Sequence, residues 1–166
     1  KGSISCVVTA KGKAAHSSMP HLGTNAVDIL VDFVNEMKQE YKNIKEHDKV
    51  HELDAVPMIE KHLHRKIGEE ESHIYSGFVM LNSVFNGGKQ VNSVPHKATA
   101  KYNVRTVPEY DSTFVKDLFE KVIRHVGEDY LTVDIPSSHD PVASDRDNPL
   151  IQNITRIAPN YVHEDI

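Results

Sequence analysis

Residues 97–107 read "KATAKYNVRTV". Ala98, Ala100, Tyr102 and Val104 alternate with Thr99, Lys101, Asn103 and Arg105. A period of two puts the first set on one face and the second on the other, which predicts a strand with a buried side and an open side. "SISCVVTA" (3–10) alternates in the same way through Ile4, Cys6, Val8 and Ala10. "GFVMLNSVF" (77–85) is apolar nearly throughout and reads as a central strand. "YLTVDI" (130–135) supplies a fourth, with Leu131, Val133 and Ile135 facing one way.

Two segments carry the helical period instead. Val27, Leu30, Val31, Val34, Met37 and Tyr41 form one stripe, with Thr24 or Asn25 as the cap and Asp28 in the positive first turn. The second helix starts behind Asp111, runs through Val115, Leu118, Phe119, Val122 and Val126, and stops at Gly127. The order strand, helix, strand, strand, helix, strand predicts an α+β fold. It is a ferredoxin-like βαββαβ sandwich, a four-stranded antiparallel sheet with both helices on one face. Residues 43–75 are charged, rich in histidine and weakly periodic, and read as a surface insertion with one or two short helices. In 137–166, Asn148-Pro149 opens a short amphipathic helix through Leu150, Ile151, Ile154 and Ile157.

Composition sets the outer limits. The chain has 166 residues, 39% apolar and 26% charged, which suits one soluble domain with a real core. A net charge of −5 argues against a general nucleic-acid binder. No apolar run approaches the ~20 residues of a membrane helix. The single cysteine, Cys6, has no partner for an internal disulfide and agrees with a reducing compartment such as the cytoplasm. The chain starts at Lys1 with no Met and no signal peptide, as expected of an excised domain.

Eleven histidines invite a metal reading that the spacings weaken. His47 and His51 stand four apart, the spacing of a zinc-protease helix, but Asp48 occupies the place of that helix's Glu and no third ligand is evident. "HLH" (62–64) is weaker still, and "SSHD" (137–140) could seat a metal or end a helix. "NGGK" (86–89) lacks the ending of a phosphate loop and opens no helix. His16 is different: it lies in "GKAAHSSMPHLGT" (12–24), where small neighbours let a ligand approach the backbone. An imidazole there can donate a hydrogen bond to developing negative charge, or merely bond to the adjoining helix start. Arg105, on the polar face of its strand, can grip a carboxylate with two hydrogen bonds, or pair with Glu109 or Asp111. Asn92 is a third polar group, in a tight turn.

"KGSISCVVTAKGKAAHSSMPHLGTNAVDIL" (1–30) and "NGGKQVNSVPHKATAKYNVRTVPEYD" (86–111) resemble the two signature regions of the lid, or dimerisation, domain of the co-catalytic zinc amidohydrolases. That family includes succinyl-diaminopimelate desuccinylase, acetylornithine deacetylase, aminoacylase and carboxypeptidase G, and the desuccinylase-like branch is favoured. The resemblance covers about residues 1–136, with 43–75 as a variable insertion, and makes 137–166 a truncated return towards a catalytic domain. It implies a homodimer formed through this domain and a small N-acyl amino acid substrate. It also implies two zinc (or cobalt) ions in the full-length enzyme and none in this fragment, which alone would be inactive. His16 matches the family's oxyanion-stabilising histidine, commonly lent to the partner subunit's site; Asn92 and Arg105 match its substrate contacts. "HELDAVP" (51–57) is one residue too long between His51 and Asp54 for the family's zinc motif and reads as a decoy. The rivals are an acetylornithine deacetylase, aminoacylase or dipeptidase of the same family, a free-standing ferredoxin-like binding module, and a small metal-binding protein using the insertion.

Overall fold

A computed structural model describes residues 1–47, 55–145, 147–158 and 161. The elements in chain order are β1 (Gly2–Lys11), β2 (Ala15–His16), α1 (Ala26–His47), α2 (Ala55–Leu63), α3 (Glu69–Ser76), β3 (Val79–Gly87), β4 (Ser93–Val94), β5 (Lys97–Thr106), α4 (Ser112–Val126), β6 (Leu131–His139) and α5 (Pro149–Ile157). β3, β5, β1 and β6 form one antiparallel sheet in that order, and β2 pairs with β4 as a separate two-stranded ribbon. This is the expected ferredoxin-like βαββαβ arrangement, with the insertion present as α2 and α3.

β1 and β5 are the central strands because they alternate without a break. Their register runs through ten pairs, from Gly2 opposite Thr106 to Lys11 opposite Lys97. On the covered face Ile4, Cys6, Val8 and Ala10 meet Val104, Tyr102, Ala100 and Ala98, and all eight are buried. Burial pushes the Cys6 thiol up to about 12, so it is an inert core group at neutral pH.

Residues 77–85 do not form the expected central strand: β3 lies at the edge of the sheet. Its apolar run is split between tasks. Phe78, just before the strand, is fully buried among Tyr41, Tyr110 and Phe114. Leu81 and Phe85 are left 60% and 41% exposed. A continuous apolar run therefore did not mean burial on both faces. β6 continues to His139, past the expected end at 135. Pro136 is tolerated because the β1–β6 register shifts between Ser5 and Val7, and the bulge removes the need for its missing N–H.

The two long helices cover one face. Ala26, Leu30, Phe33 and Met37 are the buried line of α1. The expected stripe included Val31 and omitted Phe33; the structure reverses these, with Phe33 fully buried and Val31 41% exposed. The spacing 26, 30, 33, 37 follows the helical period, and the valines flank it. On α4, Val115, Leu118, Phe119, Val122 and Ile123 are buried. Asp111 caps it by accepting from the Phe114 amide at 2.9 Å, and Gly127 ends it. Phe33 and Phe119 both pack on Tyr102 edge-on, at centroid distances of 6.2 and 5.3 Å, which joins α1 and α4 to β5.

Phe33→Ala should cost about 3–5 kcal/mol of unfolding free energy, because it empties the junction of three elements. Val31→Ala, on the exposed flank, should stay within about 0.5 kcal/mol. Urea titration of the two variants checks the assignment of the buried face.

Candidate functional site

The loop between β1 and α1 is held at four points. Lys13 and Thr24 exchange backbone hydrogen bonds of 2.9 and 2.8 Å, which closes the loop at its base. The Gly12 amide donates to the His96 carbonyl at 2.8 Å and the Ala26 amide to the Pro95 carbonyl at 2.9 Å. Near the tip, the Ser17 amide donates to the Asn92 carbonyl at 3.0 Å. Gly12 is required by this closure, since a Cβ there would run into the Thr24 carbonyl oxygen. Asn25, one of the two expected caps, accepts from the Val27 amide at 3.0 Å and starts α1.

His16 sits at the tip, exposed, in register with Ser93 of β4. The Ser18 amide donates to its Nδ1 at 3.2 Å, and the Ser18 hydroxyl lies 2.8 Å from the same atom. A backbone amide can only donate, so Nδ1 presents its lone pair to the loop. In the neutral ring the proton is then on Nε2, on the side away from the loop. The local bond to Ser18 and an outward donor are thus both present.

Asn92 is brought beside His16 by the Ser17 bond. Arg105 is not. It lies on the open face, opposite Ser3 and Val79, at the other end of β5 from Lys97. Eight residue steps separate Lys97 from Arg105, roughly 27 Å. Arg105 is exposed and has no ion pair among the described residues. Asp111, one of its two expected partners, is committed to capping α4. The cross-loop ribbon of β2 and β4 is what the sequence reading missed; a two-residue strand is too short to show alternation.

The other histidine readings resolve differently. "SSHD" ends no helix, and among the described residues it joins no group that could hold a metal. Ser137 to His139 belong to β6, and Asp140 accepts from the Ser112 amide and hydroxyl at 2.8 and 3.1 Å, supporting the start of α4. His62 and His64 close α2. His51 and most of "HELDAVP" lie outside the described residues, and Ala55 to Pro57 open α2. Glu71 is held below the usual carboxylate range by the Arg65 guanidinium, which grips it through bonds of 2.6 and 2.8 Å. Among the described residues no group of three or more His, Cys, Asp or Glu could hold a metal ion. No helix among them is long and apolar enough to cross a membrane.

Comparison with known proteins places this geometry. Residues 1–131 match the model of the peptidase dimerisation domain family. Two relatives from Staphylococcus carry the name "Probable succinyl-diaminopimelate desuccinylase". One, from S. epidermidis RP62A, is 99% identical over all 166 residues; the other, from S. aureus Mu50, is 47% identical over 165. The chain spans about 41% of the length of these relatives. An aminobenzoyl-glutamate utilization protein from Klebsiella pneumoniae aligns over 99% of this chain and 35% of its own, with a TM-score of 0.64 at 14% identity. An M20 family metallo-carboxypeptidase from Sulfolobus solfataricus aligns over 96% and 43%, with a TM-score of 0.61 at 18% identity. At those identities the two structures speak for the fold alone. Sequence motif, ferredoxin-like sheet and family match agree, and the chain belongs to the peptidase dimerisation domain family.

Proposed function

We propose that this chain is the lid and dimerisation domain of a zinc-dependent amidohydrolase that cleaves the amide bond of an N-acyl amino acid, with N-succinyl-diaminopimelate as the favoured substrate. The observation that carries the proposal is His16. It is presented at the tip of a tied loop, with Nδ1 satisfied by Ser18 and Nε2–H free to donate. A fixed donor of this kind stabilises the oxyanion formed when water adds to an amide carbonyl, and it does so without reorganising during the reaction. Asn92 orients substrate next to it. Arg105 holds a substrate carboxylate through its guanidinium.

The separation of His16 and Arg105 supports a site shared between subunits. One chain keeps them at opposite ends of β5. A two-fold axis that pairs like edges antiparallel carries the His16 end of one chain to the Arg105 end of the other. The β3 edge suits this pairing better than the β6 edge. β6 carries Pro136 and a bulge, which blunt it against pairing. β3 leaves Leu81 and Phe85 exposed. Val27 packs beside Gly87, and Val31 follows one turn along α1, so the flank next to Phe85 is apolar too.

In the proposal the two zinc ions are assigned to the remainder of the polypeptide. Residues 1–136 are the lid domain in this reading, and 137–166 return to the catalytic domain. In α5, Leu150, Ile151, Ile154 and Ile157 are all exposed, which supports a helix that packs against chain outside this segment. The free, buried thiol of Cys6 supports a reducing compartment, the cytoplasm, for the enzyme.

The full-length protein should hydrolyse N-succinyl-diaminopimelate in preference to N-acetylornithine; the reverse preference would move it to another branch of the family. His16→Ala should lower kcat about 10²–10³-fold with metal content unchanged. Turnover equal to wild type would remove the oxyanion role. Arg105→Ala should act mainly on KM, by about ten-fold or more, and an unaltered KM would remove the carboxylate grip. In light scattering, Phe85→Asp should convert the dimer to a monomer, whereas Thr132→Asp on β6 should leave it intact. The opposite pattern would assign the interface to the other edge.

A further inference from the structure

The β3–β5 connection lines an open cavity of about 560 Å³ beside the His16 loop. Lys89, His96 and Lys97 line it, with Asn86, Ser93 and Pro95 among the other walls, and none of its lining residues carries a carboxylate. This positive excess stands in a chain of net charge −5. Lys97 is also directly opposite Lys11 in the β1–β5 register. Like charges facing each other across two strands are unfavourable unless an anion lies between or beside them. Lys42, Lys66, Lys116 and Lys121 all have a carboxylate within 4 Å. Lys11, Lys89 and Lys97 have none among the described residues, as is also true of Lys13, Lys38, Lys45, Lys61 and Lys101; what sets Lys89 and Lys97 apart is that they share one cavity.

The walls are preset. The carbonyls of Asn92, Pro95 and His96 are all fixed by amides of the loop between β1 and α1. Gly88, at φ +70°, makes the turn that carries Lys89 over the cavity. Ser93 lines the cavity and is the register partner of His16, so the cavity wall and the histidine are one strand spacing apart, ~5 Å. They belong to the same chain, and stay together whichever catalytic domain the loop serves.

We infer that this cavity is a carboxylate subsite, in which Lys89 and Lys97 hold the distal carboxylate of a short diacid acyl group whose carbonyl oxygen meets His16. The inference rests on the amidohydrolase reading and adds the source of its acyl specificity. A two-methylene spacer bridges the step from His16 to the cavity. The apolar walls of Val94, Pro95 and Ala98 suit the methylenes, and the lysines suit the terminal charge.

The test uses the full-length, metal-loaded protein and two substrates of one amino acid, N-succinyl and N-butyryl, which differ by the distal carboxylate. In the Lys89→Gln/Lys97→Gln variant the ratio of kcat/KM for succinyl over butyryl should fall about ten-fold. Succinate binding, followed by calorimetry, should weaken by a similar factor. Lys89→Arg/Lys97→Arg should keep both within about three-fold of wild type, because the charge is retained. An unchanged ratio with unchanged succinate binding overturns the subsite, as does a wild-type protein that binds no succinate. A protein that cleaves neither substrate yet binds succinate in a lysine-dependent way overturns the amidohydrolase reading and leaves the subsite standing.

Discussion

The ten-pair register of β1 against β5 is the constraint from which the rest of the architecture follows. It buries one face of both strands under α1 and α4 and leaves the other open. It also fixes the two ends of the sheet. At one end Lys11 faces Lys97, and both connecting loops emerge there, carrying His16 and Asn92. At the other end Ser3 faces Arg105. A slip of one residue would turn Tyr102 and Val104 to water and Arg105 into the core, so the register is strongly specified.

That register divides the chemistry. The groups suited to a reacting carbonyl sit at one end, and the guanidinium suited to a substrate carboxylate sits at the other. A rigid four-stranded sheet cannot fold back to join them. Association is therefore part of the site's geometry in the proposed reading, as well as a means of stabilising the domain. The exposed apolar flank of β3 and α1 and the exposed face of α5 mark two different surfaces. In the proposed reading the first meets a second copy and the second meets the catalytic domain.

The His16 loop shows how a flexible-looking sequence becomes a fixed donor. Small residues at Gly12, Ala14, Ala15, Ser17 and Ser18 remove steric bulk, and backbone hydrogen bonds then replace side-chain packing as the source of order. Most of those bonds run to the 92–96 segment, so the two signature stretches, some eighty residues apart in sequence, hold one another. Ser18 settles the ring's tautomer through its amide, a contact available only once the turn has formed.

The four long strands, the two long helices and their order were legible in the amino-acid sequence alone. Alternation in 3–10 and 97–107 marked the central strands, Asp111 and Gly127 bounded α4, and the small-residue turn singled out His16. These signals are local, because period, capping and turn chemistry are set within one element. Tertiary structure decided what depends on neighbours. It placed the apolar run at 79–87 at an edge, exchanged Phe33 for Val31 in the buried line, and carried β6 past Pro136 on a bulge. It turned Asp140 into a support for α4 and set Arg105 far from His16. Burial and distance depend on which surfaces face each other across the sheet, and that is a property of the assembled strands rather than of any one stretch.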